Sequence, residues 1–149
     1  MLLRWWLAAF HLLALGIGLG AVAARSRALR APMEESRLRS AFLADSLWGL
    51  AGFLWIATGL WRAFGGVEKG TAYYLASTAF WIKMGLLAVL LILEIVAVGT
   101  LMRWRREHAQ GRVPNLEAAP LLARISAVQV VIVVAMVFAA TAMARGIGS

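Results

Sequence analysis

Four long apolar segments separated by short polar ones constrain this chain more than any other feature. They cover approximately residues 2–24, 41–64, 79–102 and 121–144 of the 149. Each segment is long enough for an α-helix, which rises 1.5 Å per residue, to cross about 30 Å of hydrocarbon. The pattern therefore predicts an all-α integral membrane protein that folds as a four-transmembrane-helix up-and-down bundle. About fifty residues remain outside the segments, so we expect a single transmembrane domain.

The composition excludes several classes of protein. Hydrophobic residues make up 62% of the chain, which is too apolar for a soluble domain of this size. Cysteine is absent, which excludes structural disulfides and thiolate metal ligands. The formal charge of +8 would suggest a nucleic-acid partner in a soluble protein. Here the basic residues lie at the ends of the apolar segments, so we expect the lipid bilayer as partner and no nucleic acid.

The distribution of basic residues among the loops predicts the orientation of the helices. The second loop holds only Arg62 and Lys69. The other two loops hold most of the arginines: Arg25, Arg27, Arg30, Arg37 and Arg39 in the first, and Arg103, Arg105, Arg106 and Arg112 in the third. Loops rich in Lys and Arg stay on the cytoplasmic side. We therefore predict a multi-pass protein of the bacterial inner (cytoplasmic) membrane with both termini periplasmic.

A few polar side chains fall inside the apolar segments, where a charge at the bilayer centre costs about 2.5–3.5 kcal/mol on insertion scales. The rise per residue assigns them to two levels of the bilayer. The outer level contains His11, Lys83 and Met136, with Trp55 at a similar depth, and the inner level contains Asp45, Glu94 and Gln129. We predict that His11, Lys83, Glu94, Asp45, Gln129 and Met136 are candidates for a ligand or cofactor site between the helices.

Each candidate also has a structural interpretation. Lys83 lies close enough to the surface for its ammonium group to reach the headgroups, and His11 can be neutral and hydrogen-bonded to a neighbouring helix. Asp45 is expected to cap the cytoplasmic end of the second helix, and Met136 to pack against other helices. Glu94 is too deep to reach water easily, so it must be protonated, paired or beside a watery cavity. For Glu94, a role in function or assembly is favoured over simple burial.

Glycines recur in the first two segments. They are Gly16, Gly18 and Gly20 in the first segment, and Gly49, Gly52 and Gly59 in the second. Small residues allow helices to approach closely in lipid, which itself is as apolar as leucine. We therefore predict that the first two helices pack backbone to backbone at these positions. Space for a flat cofactor is the functional alternative.

Several short motifs are typical of one family of membrane proteins. They are His11-Leu12, Gly16-Ile17-Gly18-Leu19-Gly20, Asp45 with Trp48-Gly49-Leu50, Glu68-Lys69-Gly70-Thr71-Ala72-Tyr73-Tyr74, Phe80-Trp81-Ile82-Lys83-Met84 and Met143-Ala144-Arg145-Gly146. On these motifs, nearly the whole chain resembles the small bacterial membrane proteins grouped as domain of unknown function 2214. The resemblance implies a four-helix bacterial membrane protein and brings no established activity.

A looser resemblance links the chain to the HemJ-type membrane protoporphyrinogen oxidase, a haem-associated four-helix protein. It implies His11 as an axial ligand or functional histidine and Lys83 as a residue near substrate carboxylates. The chain departs from that pattern at Glu94, where a further histidine is expected. His108 lies in the third loop, so ligation of haem by two histidines of one chain is excluded. Ligation by His11 and Met136 is geometrically conceivable, which makes haem b the cofactor to consider.

Three classes of function remain open. The first is a protein that handles a redox cofactor or tetrapyrrole with His11 and Lys83. The second is a transporter of ions, protons or small metabolites that acts as a homo-oligomer through Glu94, Asp45 and Lys83. The third is an accessory subunit that docks on other membrane subunits. Hydrolase chemistry and a metal site are not predicted, because Ser46 and Ser126 lack a plausible paired base and no metal-binding motif such as HExxH is present. Whether the protein is an enzyme is left undecided by the sequence.

Overall fold

The computed structural model describes residues 1–30, 32, 34–66 and 69–147, and this part of the chain is helical with short connections. The helices are α1 (Leu2–Arg30), α2 (Glu35–Phe64), α3 (Thr71–Ala76), α4 (Thr78–Ala109) and α5 (Ala119–Ala144). Four of them, α1, α2, α4 and α5, are long and apolar enough to cross a membrane. The predicted helical class with four potential spans is confirmed. The short helix α3 is additional and lies in the predicted second loop.

Three of the long helices extend beyond the apolar segments. α1 continues to Arg30 rather than residue 24, α2 begins at Glu35 rather than 41, and α4 continues to Ala109 rather than 102. The extensions carry Leu29, Leu38 and Trp104, whose side chains are buried together in one apolar cluster. Packing of these side chains keeps the chain helical outside the segment that hydropathy delimits.

The start of α4 and its end are marked by local signals. Ser77 separates α3 from α4, and its side chain accepts a hydrogen bond from the Phe80 N–H at 3.4 Å, as an N-cap residue does. After α4, Gly111 has φ of +69°, a left-handed conformation that favours glycine and stops the helix.

The four long helices give the bundle two distinct ends. The first, called here the terminal end, contains the start of α1, the end of α2, α3, the start of α4 and the end of α5. The opposite, arginine-rich end contains the connections from α1 to α2 and from α4 to α5. That the terminal end faces the periplasm stays a prediction from the arginine distribution.

The glycines of α1 and α2 do not pack in the predicted way. A Cβ added at Gly16, Gly20, Gly49 or Gly52 would meet no neighbouring atom within 4 Å, so these glycines face away from other helices. Two glycines are tightly packed, but against side chains rather than backbone. A Cβ at Gly18 would lie 3.2 Å from the Trp48 ring, and one at Gly59 would lie 3.1 Å from the His11 ring. These two glycines therefore leave space for the Trp48 and His11 rings.

Replacement of Gly18 by leucine is expected to lower the free energy of unfolding by about 1–3 kcal/mol, the usual cost of overpacking a filled interior. The added side chain would have to displace the Trp48 ring, which is buried. Gly16→Leu is the matched control, because Gly16 lies on the same helix with open space around it. Unfolding in mixed detergent micelles measures both variants. Equal losses in the two variants would contradict the assignment.

Candidate functional site

A buried arginine lies between the four long helices, toward the arginine-rich end of the bundle. Arg25 of α1 has no exposed surface, and its guanidinium group donates five hydrogen bonds. Nε donates to Ser126 Oγ at 3.0 Å. One terminal nitrogen donates to Asp45 at 2.7 Å and to Glu94 at 3.0 Å, and the other donates to Glu94 at 2.9 Å and to Gln129 at 2.6 Å. A guanidinium group has five N–H bonds, so every donor is used.

We call this group the Arg25 cluster; its members are Arg25, Asp45, Trp48, Glu94, Ser126 and Gln129. The cluster joins all four long helices, since α1, α2, α4 and α5 each contribute at least one member. The Arg105 guanidinium lies 3.0 Å from the second Asp45 oxygen and brings a second positive charge. Two cations therefore balance two carboxylates, which is the condition under which charges remain inside a protein or a bilayer.

The two carboxylates have structural partners that the sequence did not specify. Asp45 was expected to cap α2, and this prediction is wrong. The helix begins at Glu35, so Asp45 lies well inside it. Glu94 accepts hydrogen bonds from the Trp48 indole at 2.9 Å and from the Gln129 amide at 2.8 Å, in addition to those from Arg25. Of the three states considered for Glu94, the structure places it in the paired one.

A cavity of about 320 Å³ lies at the terminal end of the bundle, between α1, α2, α4 and α5 and beside α3. Its wall is mostly aliphatic and aromatic, and includes Leu15, Leu87 and Met136. The lining also includes polar and aromatic residues, among them His11, Trp55, Arg62, Lys69, Tyr73 and Lys83. We call this space the terminal cavity. Lys83 and Glu94 are eleven residues apart on α4, or about 16 Å along the helix axis, so the cavity and the Arg25 cluster are separate centres.

His11 is held in one orientation at the cavity wall. Its Nδ1 lies 3.0 Å from Thr58 Oγ1, and that hydroxyl donates its single proton to the Leu54 carbonyl at 2.7 Å. Thr58 therefore accepts a hydrogen bond from Nδ1–H. The neutral ring then carries a lone pair on Nε2, which can accept a proton or bind a metal ion. Gly59 leaves room for the ring, since a Cβ there would approach it at 3.1 Å.

Three cationic side chains line the cavity, namely Arg62, Lys69 and Lys83. Lys69 lies 3.0 Å from the Tyr73 hydroxyl and 4.3 Å from the centre of the Tyr73 ring. The ammonium group of Lys83 makes no hydrogen bond or ion pair with residues in the described part of the chain. Among the described lining residues there is no aspartate or glutamate. The cavity therefore presents positive charge within an apolar wall.

The Trp55 indole adds a hydrogen-bond donor at the cavity wall. The residue is only 5% exposed, and its indole N–H has no hydrogen-bond partner among the described residues. Trp55 lines the cavity, and its ring centre lies 6.0 Å from that of His11. Buried donors are nearly always satisfied in folded proteins, so the Trp55 N–H is a donor that a molecule in the cavity could use.

The predicted candidates thus fall into two groups. His11, Lys83 and Met136 line the terminal cavity, while Asp45, Glu94 and Gln129 belong to the Arg25 cluster and do not line it. A shared site for all six is therefore not what the structure contains. No group of three or more His, Asp or Glu side chains suited to a metal ion occurs in residues 1–30, 32, 34–66 and 69–147.

Comparison with known proteins gives the family. The family described as "Predicted membrane protein (DUF2214)" matches residues 3–148, which is almost the whole chain. The chain belongs to this family. The resemblance inferred from the motifs is confirmed. No curated protein and no solved structure matches this DUF2214 protein.

Sequence reasoning about this DUF2214 protein missed Arg25, which it assigned to the first loop. A signal for its true place was present, because His11, Gly18 and Arg25 are spaced by seven and share one face of α1. The carboxylates of Asp45 and Glu94 also required a positive partner at membrane depth. Thr58, which orients His11, carried no comparable signal, since isolated threonines are common in membrane helices.

Proposed function

We propose that this membrane protein binds a small, largely apolar molecule with a carboxylate or similar anionic group in the terminal cavity. One observation carries the proposal. The Lys83 ammonium group lines an apolar cavity and has no acidic partner among the described residues. A cation left without a partner at this depth is costly, and a bound anion would offset that cost.

The other lining groups support the same class of ligand. The unsatisfied Trp55 N–H is a donor, and donors favour a negatively charged or carbonyl oxygen. The volume of about 320 Å³ is at the lower end of the range for sites of small molecules, and the predominantly apolar wall is typical of such sites. The cavity would therefore hold the apolar body of the ligand, with its charged group beside Lys83.

Haem b falls in the proposed ligand class, because it carries carboxylates on an apolar ring. His11 and Met136 line the cavity and are the residues that would hold its iron. The hydrogen bond from His11 Nδ1 to Thr58 leaves Nε2 as the ligating nitrogen, and a thioether is a known partner of histidine on haem iron. A bound haem would supply one-electron redox chemistry. The donor set fits, and haem itself stays a prediction.

The remaining classes of function have less support. A transporter that uses Glu94 and Asp45 would need carboxylates that are free to exchange ions, and both are bonded to Arg25. For an accessory subunit, Gly16 and Gly52 point away from neighbouring helices and could contact helices of another subunit. Docking of a homo-oligomer partner or another membrane subunit on these faces stays a prediction.

Titration with a carboxylic acid and its methyl ester tests the proposed ligand class. The probe is parinaric acid, a fluorescent polyene fatty acid, added to the protein in lipid nanodiscs and read by energy transfer from tryptophan. We expect the acid to bind about tenfold or more tightly than the ester, because one charge-assisted hydrogen bond is worth roughly 1.5 kcal/mol or more. Equal binding of acid and ester would exclude an anion site.

Two phenylalanine variants locate the binding site. Ala140 lines the terminal cavity, so Ala140→Phe is expected to abolish binding of both acid and ester. Val134→Phe on the same helix is the control, because Val134 is 40% exposed and does not line the cavity.

Haemin is a second probe, and an absorption band that disappears in His11→Ala would support ligation by His11. Haemin bound equally by wild type and His11→Ala would argue against it.

A further inference from the structure

The long helices do not close into a complete ring. α1 packs along both α2 and α5, and α5 packs along α4. By contrast, α2 and α4 have few close backbone contacts with each other. The order around the bundle is therefore α2, α1, α5, α4, and its weakest junction is the one between α2 and α4. We call this junction the α2–α4 seam.

Side chains bridge the seam at its two ends. Toward the arginine-rich end, the guanidinium of Arg105 on α4 lies 3.0 Å from an Asp45 carboxylate oxygen on α2. The indole N–H of Trp48 on α2 donates a hydrogen bond to Glu94 on α4 at 2.9 Å. At the terminal end, the rings of Phe64 and Phe80 meet edge to face with centres 6.1 Å apart. The middle of the seam lies between these two sets of contacts.

The terminal cavity reaches the middle of the seam. Ile56 and Leu60 of α2 line the cavity on one side, and Met84 and Leu87 of α4 line it on the other. All four residues retain exposed surface, and Leu60 is 45% exposed, so we infer that the cavity opens between them.

The protein surface around the opening is apolar. Phe53 of α2, on the same helix face as Ile56 and Leu60, is 69% exposed, and Leu91 of α4, seven residues after Met84, is 43% exposed. Both lie on helices that are apolar enough to span the membrane, so in a bilayer acyl chains would surround them. The opening therefore faces the hydrocarbon of the bilayer.

We propose that the ligand is a lipid-dissolved carboxylic amphiphile that enters the terminal cavity sideways from the bilayer through the α2–α4 seam. The inference rests on the proposed function, since it concerns the same cavity. The carboxylate passes between α2 and α4 and pairs with Lys83, while the apolar body follows along Ile56 and Leu87. A molecule of this class reaches the site without crossing the aqueous phase.

Reversible tethering of the seam tests this route. The chain contains no cysteine, so pairs of introduced cysteines are the only thiols. Double variants that join Ile56 or Leu60 with Met84 or Leu87 are oxidised in nanodiscs, or bridged by a short bis-maleimide where the thiols are too far apart. Association and dissociation of parinaric acid are followed by stopped-flow fluorescence. The tether is expected to slow both rates by about tenfold or more, a change within the range seen for altered access.

A tether outside the opening is the matched control. The Glu35 carboxylate of α2 lies 3.4 Å from His108 Nε2 of α4, at the arginine-rich end and outside the opening. A tether in Glu35→Cys/His108→Cys should therefore leave both rates unchanged. Unchanged rates in the seam-tethered protein would overturn the lateral route and indicate access from the aqueous end. Absence of binding before any tether is formed would instead refute the proposed function. Recovery of fast exchange on reduction of a disulfide tether confirms that the tether, not the substitutions, caused the change.

Discussion

Replacement of Arg25 by methionine is expected to lower the free energy of unfolding by about 3–5 kcal/mol, the loss typical of a buried ion pair deprived of one partner. The methionine side chain fills a similar volume but leaves Asp45 and Glu94 without their shared cation. It also leaves Ser126 and Gln129 without the hydrogen bonds that Arg25 donates. Unfolding in mixed detergent micelles gives the free energy directly.

Two further variants make this result interpretable. Arg37→Met is the matched control, because Arg37 is exposed and its side chain has no bond to the described residues, so its loss should be within about 0.5 kcal/mol of zero. The triple variant Arg25→Met/Asp45→Asn/Glu94→Gln removes all three charges together. It is expected to be more stable than the single variant, because no carboxylate is then left unpaired. A single variant as stable as Arg37→Met would contradict a central role for Arg25.

Reversal of charge at Lys83 is expected to abolish binding of the acid probe. Lys83→Glu removes the attracting cation and places a carboxylate in the cavity wall. Affinity for parinaric acid should fall by at least about 30-fold, or roughly 2 kcal/mol, as for truncation of a buried charge pair. Affinity for the methyl ester should change little, because the ester carries no charge.

Arg4→Glu controls for the change in net charge. Arg4 is exposed near the start of α1 and does not line the terminal cavity, yet its replacement alters the charge of the protein by the same amount. It should bind acid and ester as the wild type does. If Lys83→Glu and Arg4→Glu weakened acid binding equally, the attraction would come from the overall field of the protein and not from Lys83.

The sequence predicted the helical class and the two polar levels because both depend on local properties. Hydropathy along each segment determines which residues can lie in lipid, and the rise of 1.5 Å per residue determines their depth. His11, Lys83 and Met136 at one level, and Asp45, Glu94 and Gln129 at the other, follow from that arithmetic. The structure places the first group around a cavity and the second group around Arg25.

The sequence could not predict features that depend on which helices become neighbours. Arg25 looked like part of a basic loop because hydropathy ends at Ala24, whereas packing of Leu29 and neighbouring residues continues the helix. The glycine pattern suggested backbone contact, but only tertiary packing decides that Gly18 meets Trp48 and Gly59 meets His11. The weak junction between α2 and α4 likewise has no counterpart in the properties of either helix alone.

The composition of the Arg25 cluster bears on how the chain assembles as it emerges from the ribosome. The first two spans already contain an ion pair of their own, since Arg25 lies 2.7 Å from Asp45. If α1 and α2 insert together as a hairpin, these two charges enter the lipid already matched. Glu94 arrives only with the third span and finds Arg25 already in place, with Gln129 added last by the fourth. Synthesis from the amino terminus thus delivers the countercharge before the carboxylate that needs it.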